Sequence, residues 1–120
     1  MGKPILCLDF DGVIHSYESG WKGAAVIPDP PVPDAIRFMR EALEHFRVAI
    51  YSSRSGQPGG IEAMQAWLRT HAGNLDWFAA IEWPTEKPPA LVTIDDRAVT
   101  FTGIWPTMQS LLEFKPWNKK

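Results

Sequence analysis

Two aspartates, Asp9 and Asp11, stand two residues apart at the end of an apolar run, Ile5-Leu6-Cys7-Leu8, and Gly12 follows them at once. On an extended backbone such residues project to the same side, so one cation or one reacting group can meet both carboxylates. Gly12 lets the chain turn sharply and pass close to a ligand. An apolar run ending in polar groups recurs twice: Val48-Ala49-Ile50-Tyr51 leads into Ser52, Ser53 and Arg54, and Leu91-Val92-Thr93-Ile94 leads into Asp95 and Asp96. Lys87 lies just before the last of these runs. Carboxylates suit a hard, oxygen-seeking divalent cation, while a hydroxyl and an ammonium suit an anion that the cation would share. That inventory fits phosphoryl transfer. Two acids at a buried strand end are costly unless paired or metal-bound, which argues against a purely structural role for Asp9 and Asp11. Taken alone, Asp95 and Asp96 read equally as a turn or as ligands; the first pair of acids tips them toward ligands.

These residues work together only if the fold brings their strand ends to one place. Ile5 to Leu8 is apolar on both alternating faces, as expected of a central strand in a parallel sheet covered by helices above and below. Residues 13–32 carry Gly20, Gly23, Pro28, Pro30 and Pro31 around two short β-prone pieces, Val13 to Tyr17 and Ala24 to Ile27. They are expected to form a hairpin-like flap turning near Gly20. Pro33 and Asp34 suit the first turn of a helix whose apolar face is Ile36, Met39, Leu43 and Phe46 and whose end falls by Phe46. A second helix is expected after Gly60, with Ile61, Met64, Trp67 and Leu68 inward and Gly73 as its stop. Ala79 to Trp83 reads as a third strand, Leu91 to Ile94 as a buried fourth, and Val99 to Phe101 as a short edge strand. Pro106 opens a last helix with Met108, Leu111 and Leu112 inward, Pro116 ends it, and the tail from Trp117 is expected to fray. Strands alternating with helices predict an α/β fold with a mainly parallel sheet. In such sheets ligands sit outside the carboxyl ends of the strands, where Asp9, Ser52 and the Asp95–Asp96 pair would converge.

Composition bounds the rest. The 120 residues suit a single domain with a real core, and 45% apolar with 22% charged residues is ordinary for a soluble protein. A net charge of -2 gives no global case for a nucleic-acid partner, although a local patch is compatible with it. The single cysteine, Cys7, provides neither a disulfide framework nor a thiolate cluster and reads as a small core residue. No apolar run approaches the roughly 20 residues of a membrane span, and the short run after Lys3, interrupted by Asp9, lacks the pattern of a secretory signal. A cytoplasmic location is the default expectation.

The ordered series Asp9-Phe10-Asp11-Gly12-Val13, Ser52, Lys87, Asp95-Asp96 resembles the four motifs of the haloacid dehalogenase-like phosphohydrolases and spans nearly the whole chain. The resemblance implies a single Rossmann-like domain, 1–120, with helices on both faces of the sheet. It further implies that Asp9 is a nucleophile forming an aspartyl-phosphate and that Asp11 protonates the leaving oxygen and then takes a proton from water. Magnesium would be held by Asp9, the backbone carbonyl of Asp11 and a carboxylate of the fourth motif, Asp96 in preference to Asp95. Ser52, or its neighbour Ser53, would bind a phosphoryl oxygen, and Lys87 would neutralise charge on the transferring group. Many family members insert a cap domain after the first or second motif. Neither gap here can hold one, and the flap of residues 13–32 stands in its place. Such an uncapped, open site suits larger substrates, nucleic-acid ends and phosphoproteins among them, as well as small phosphate esters.

Around this set, Gly12, Ser53, Arg54, His15 and Trp21 are candidate substrate contacts. Arg54 would touch a substrate phosphate or sit in solvent, His15 would face the substrate or the surface, and Trp21 would act as a lid or as a stacking platform for a base. The leading expectation is a magnesium-dependent phosphomonoester hydrolase. Its rivals are a nucleic-acid end-processing phosphatase, which such a compact Asp-Phe-Asp-Gly-Val start also resembles, and a phosphoacceptor signalling or binding module. Receiver domains share the length, the sheet and an Asp, Ser/Thr, Lys set, but they place the accepting Asp near mid-chain, where this sequence has Ser52 and Ser53.

Overall fold

The computed structural model describes residues 2–73 and 76–119. Its centre is a three-stranded parallel sheet in the order β2-β1-β3, built from β1 (Ile5–Leu8), β2 (Arg47–Ile50) and β3 (Val92–Ile94). The register pairs Leu6 with Val48 and Val92, and Leu8 with Ile50 and Ile94. The β1–β3 ladder continues one residue further, since the Asp9 amide donates to the Ile94 carbonyl at 3.0 Å.

Alternation along the strands sorts the two faces. Leu6, Leu8, Val48 and Ile50 point to one side, where they join Met39 and Ala42 of helix α1 (Ala35–Ala42) and Met64, Trp67 and Leu68 of helix α2 (Gly60–Ala72) in one buried cluster. Ile5, Cys7 and Ala49 point to the other side, which is flanked by the proline-rich loop from Glu82 to Pro89. Helices α1 and α2 therefore cover the same face, and the expectation of a helix on each face is not met among the described residues. Asp9 continues the Ile5, Cys7 series, so its carboxylate leaves the strand on the side away from the apolar core.

Several local expectations need correction. No strand forms in residues 13–32: the flap closes through Ser16, whose amide donates to the Pro30 carbonyl at 2.9 Å, and through Val32, whose amide donates to Ile14 at 2.8 Å. Its second β-prone piece pairs with no strand, because the carbonyls of Ala24 and Val26 accept from the Arg54 side chain. Phe78–Ala80 is a single 3-10 turn, and of the expected third strand only Glu82 pairs, bonding both ways with β2 at 2.9 Å. Helix α1 ends at Ala42, within the expected limit of Phe46, and Leu43 and Phe46 pack against the core from the turn and bend that follow it.

The largest departures lie beyond β3. That strand is an exposed edge, with Val92 50% and Ile94 39% accessible, and Val99 to Phe101 forms no ladder. Helix α3 (Met108–Leu112) is five residues long, with Met108, Leu111 and Leu112 all exposed. Its apolar spacing identifies a face, but the described residues bring nothing against it. The tail does not fray as far as Lys119: Trp117 and Asn118 donate side-chain hydrogen bonds to Gly12 and Ser16. No helix is long and apolar enough to cross a membrane among the described residues.

Candidate active site

The ends of β1 and β3 bring their acids together. The carboxylates of Asp9, Asp95 and Asp96 lie close enough for one oxygen of each to fall within 4.8 Å of the others. Register explains this, because Asp9 and Asp95 each follow the last residue of paired strands, Leu8 and Ile94. Asp9 then lies between two adjoining clefts. One, of about 270 Å³, is lined by Asp9, Asp11, Tyr17, Ser53, Asp96 and Arg97. The other, of about 320 Å³, contains Asp9 with Cys7, Tyr51, Lys87, Thr93, Asp95 and Ala98. Lys87 thus reaches the site from the loop on the Cys7 face. Arg97 joins the first cleft as a residue not among the sequence candidates; its place next to Asp96 in a strand-end turn is the signal that marks it.

Burial pushes the Asp9 carboxyl up to about 8, with Asp95 and Asp96 adding to the shift, and burial also raises Asp96. Asp96 Oδ1 is buried without a hydrogen-bond partner, whereas Asp95 Oδ1 accepts from the Arg97 amide at 2.8 Å. Gathered acids that resist ionisation and a buried oxygen with no donor are what a hard cation would satisfy, so the residues present fit a divalent metal. Gly12 permits this packing. Its φ of 83° lies in the left-handed region, and a Cβ there would fall on the Asp96 carboxylate, 2.7 Å from Cγ.

Asp11 is gripped from two sides. Arg54 Nε donates to both of its oxygens at 3.0 and 3.2 Å, and His15 Nδ1 lies 2.9 Å from Oδ1. The Asp29 amide donates to His15 Nε2 at 3.1 Å; an amide can only donate, so Nε2 accepts and Nδ1 carries the proton directed at Asp11. His15 and Arg54 are both fully buried, and neither faces solvent. Trp21 is 45% exposed, with the Arg54 guanidinium 4.7 Å over its ring.

The adjacent serines separate. Ser52 is buried, its Oγ accepting from the Arg54 amide at 3.0 Å while its own amide donates to Ser55 Oγ at 3.0 Å. Ser53 is exposed and lines the cleft with Asp9 and Asp11. This turn can lie against α2 only because Gly60 has no side chain: a Cβ there would overlap the Arg54 carbonyl group, 2.8 Å from its carbon. Tyr17, also in the cleft, holds a φ of 62°, uncommon for a residue other than glycine and of a kind that clusters at functional sites.

Compared with known proteins, the chain matches no family model, no curated protein and no solved structure.

Proposed function

We propose that the protein is a phosphomonoester hydrolase of the haloacid dehalogenase-like type, working with magnesium through an aspartyl-phosphate on Asp9. The observation that supports this most is the position of Asp9: it belongs to the three-carboxylate cluster and opens into both clefts, one with Asp11 and Ser53 and the other with Lys87. Asp9, Asp96 and Asp95, with the Asp11 backbone carbonyl, would hold the cation, which when bound would keep the acids ionised and draw charge from the phosphoryl oxygens.

In the first half-reaction an Asp9 oxygen bonds to phosphorus as the bond to the leaving oxygen breaks, and Asp11 gives that oxygen a proton. In the second, Asp11 takes a proton from water, the water oxygen bonds to phosphorus, and the bond to Asp9 breaks, releasing phosphate. Ser53 donates to a phosphoryl oxygen from the cleft wall, the role expected of Ser52 or its neighbour, and Lys87 offsets developing charge. The test is hydrolysis of an aryl phosphate with and without magnesium by wild type and Asp9→Asn. Magnesium-dependent turnover by wild type alone is expected, and equal rates in both proteins would refute the mechanism.

A further inference from the structure

We infer that Arg54 is a positioning residue that fastens the flap to Asp11, so that the flap and the proton-transferring carboxylate are set by one side chain; the catalytic half of this inference rests on the function proposed above. A fully buried guanidinium is costly unless its donors are used. Arg54 spends Nε on the two Asp11 oxygens and Nη1 on the carbonyls of Gly23, Ala24 and Val26, at 2.8, 2.8 and 3.2 Å, while Nη2 is buried without a hydrogen-bond partner among the described residues. These flap carbonyls belong to a segment without strand or helix, so the guanidinium supplies order that no ladder gives.

The anchor itself is firm. The Arg54 amide donates to Ser52 Oγ, and its carbonyl abuts Gly60 at the start of α2. On the opposite side His15, on the first leg of the flap, reaches the same carboxylate directly; the Asp29 amide on the return leg donates to its Nε2, and Trp67 of α2 donates to the Asp29 carbonyl at 2.9 Å. Asp11 is therefore where both legs of the flap are tied. A planar guanidinium spans the acid and the flap carbonyls at once; an ammonium cannot do so with the same geometry.

Full-length wild type, Arg54→Lys and Trp21→Ala are to be compared in two measurements. Limited trypsin cleavage after Lys22 reads the flap directly, and aryl phosphate kinetics with magnesium read Asp11. In Arg54→Lys, cleavage is expected to quicken and kcat to fall about 10-fold to 100-fold, with KM within about twofold, because a misaimed proton donor slows chemistry more than binding. Trp21→Ala, which only uncovers the guanidinium, is expected to change both in the same direction by less, and it carries the test if Arg54→Lys does not fold. Unchanged cleavage in the folded variants would overturn the tether. Faster cleavage with unaltered kcat, or a raised KM at constant kcat, would overturn the link to Asp11. An inactive wild type would refute the proposed function and with it the catalytic half, while the trypsin comparison would still decide the tether.

Discussion

Trp117 and Gly12, 105 residues apart in the chain, are joined by a hydrogen bond of 2.7 Å from the indole Nε1 to the glycine carbonyl. The tail thereby holds the turn that follows Asp11, and Asn118 adds a bond to Ser16 at 3.2 Å. Trp117→Phe removes the donor and keeps most of the ring. Because Trp117 is 59% exposed, thermal denaturation should register a loss of only about 1 kcal/mol. Turnover in the phosphatase assay proposed above should fall further than that loss explains, since the freed carbonyl adjoins Asp11. Unaltered turnover would mean that the tail merely rests on the turn.

How much of this was legible follows from the range of each interaction. The strand ends and their acids were readable because alternation and apolar runs are local signals, and register then brings Asp9 beside Asp95 without further information. Arg54 and His15 were read as substrate or surface residues because their partners lie far away: Gly23 to Val26 for one, Asp29 for the other. No local pattern reveals that a guanidinium replaces a hairpin ladder. For α3 the periodicity predicted an inward face, yet Met108, Leu111 and Leu112 are exposed, because periodicity carries no information on what packs against a face.

The division of labour between the serines can be tested by two substitutions. Ser53→Ala alters an exposed side chain in the cleft, so stability should stay within about 0.5 kcal/mol while kcat/KM falls. Ser52→Ala leaves the buried Arg54 amide without its acceptor and should cost about 1 to 3 kcal/mol in denaturant unfolding. The opposite pattern would assign phosphate binding to Ser52.

Gly60 is set by contact rather than by backbone conformation. In Gly60→Ala the added methyl group meets the Arg54 carbonyl, so either α2 retreats or the turn carrying Ser53 and Arg54 shifts. A gain in helix propensity of about 1 kcal/mol would normally accompany this change. Here net destabilisation is expected instead, together with faster trypsin cleavage after Lys22. A rise in melting temperature would show that the turn tolerates a looser seat.

Magnesium and pH should act on the same carboxylates. With its carboxyl at about 8 in the fold, Asp9 keeps its proton there up to that pH, whereas in the unfolded chain it loses it near 4. Between these values the folded state binds more protons, so stability is greatest below about pH 4 as far as this group is concerned and falls as pH rises toward 8. Burial raises Asp96 as well, which steepens the same trend. In EDTA, wild type should therefore melt lower at pH 8 than at pH 5, and Asp9→Asn, which has no charge to bury, should show a flatter profile and a melting temperature higher by about 5 °C at pH 8. Magnesium added at pH 8 should raise the wild-type midpoint and leave that of Asp9→Asn nearly unchanged, because the variant lacks the anionic oxygen that a cation would neutralise. A midpoint in wild type that ignores both pH and magnesium would remove the carboxylate cluster as a cation site.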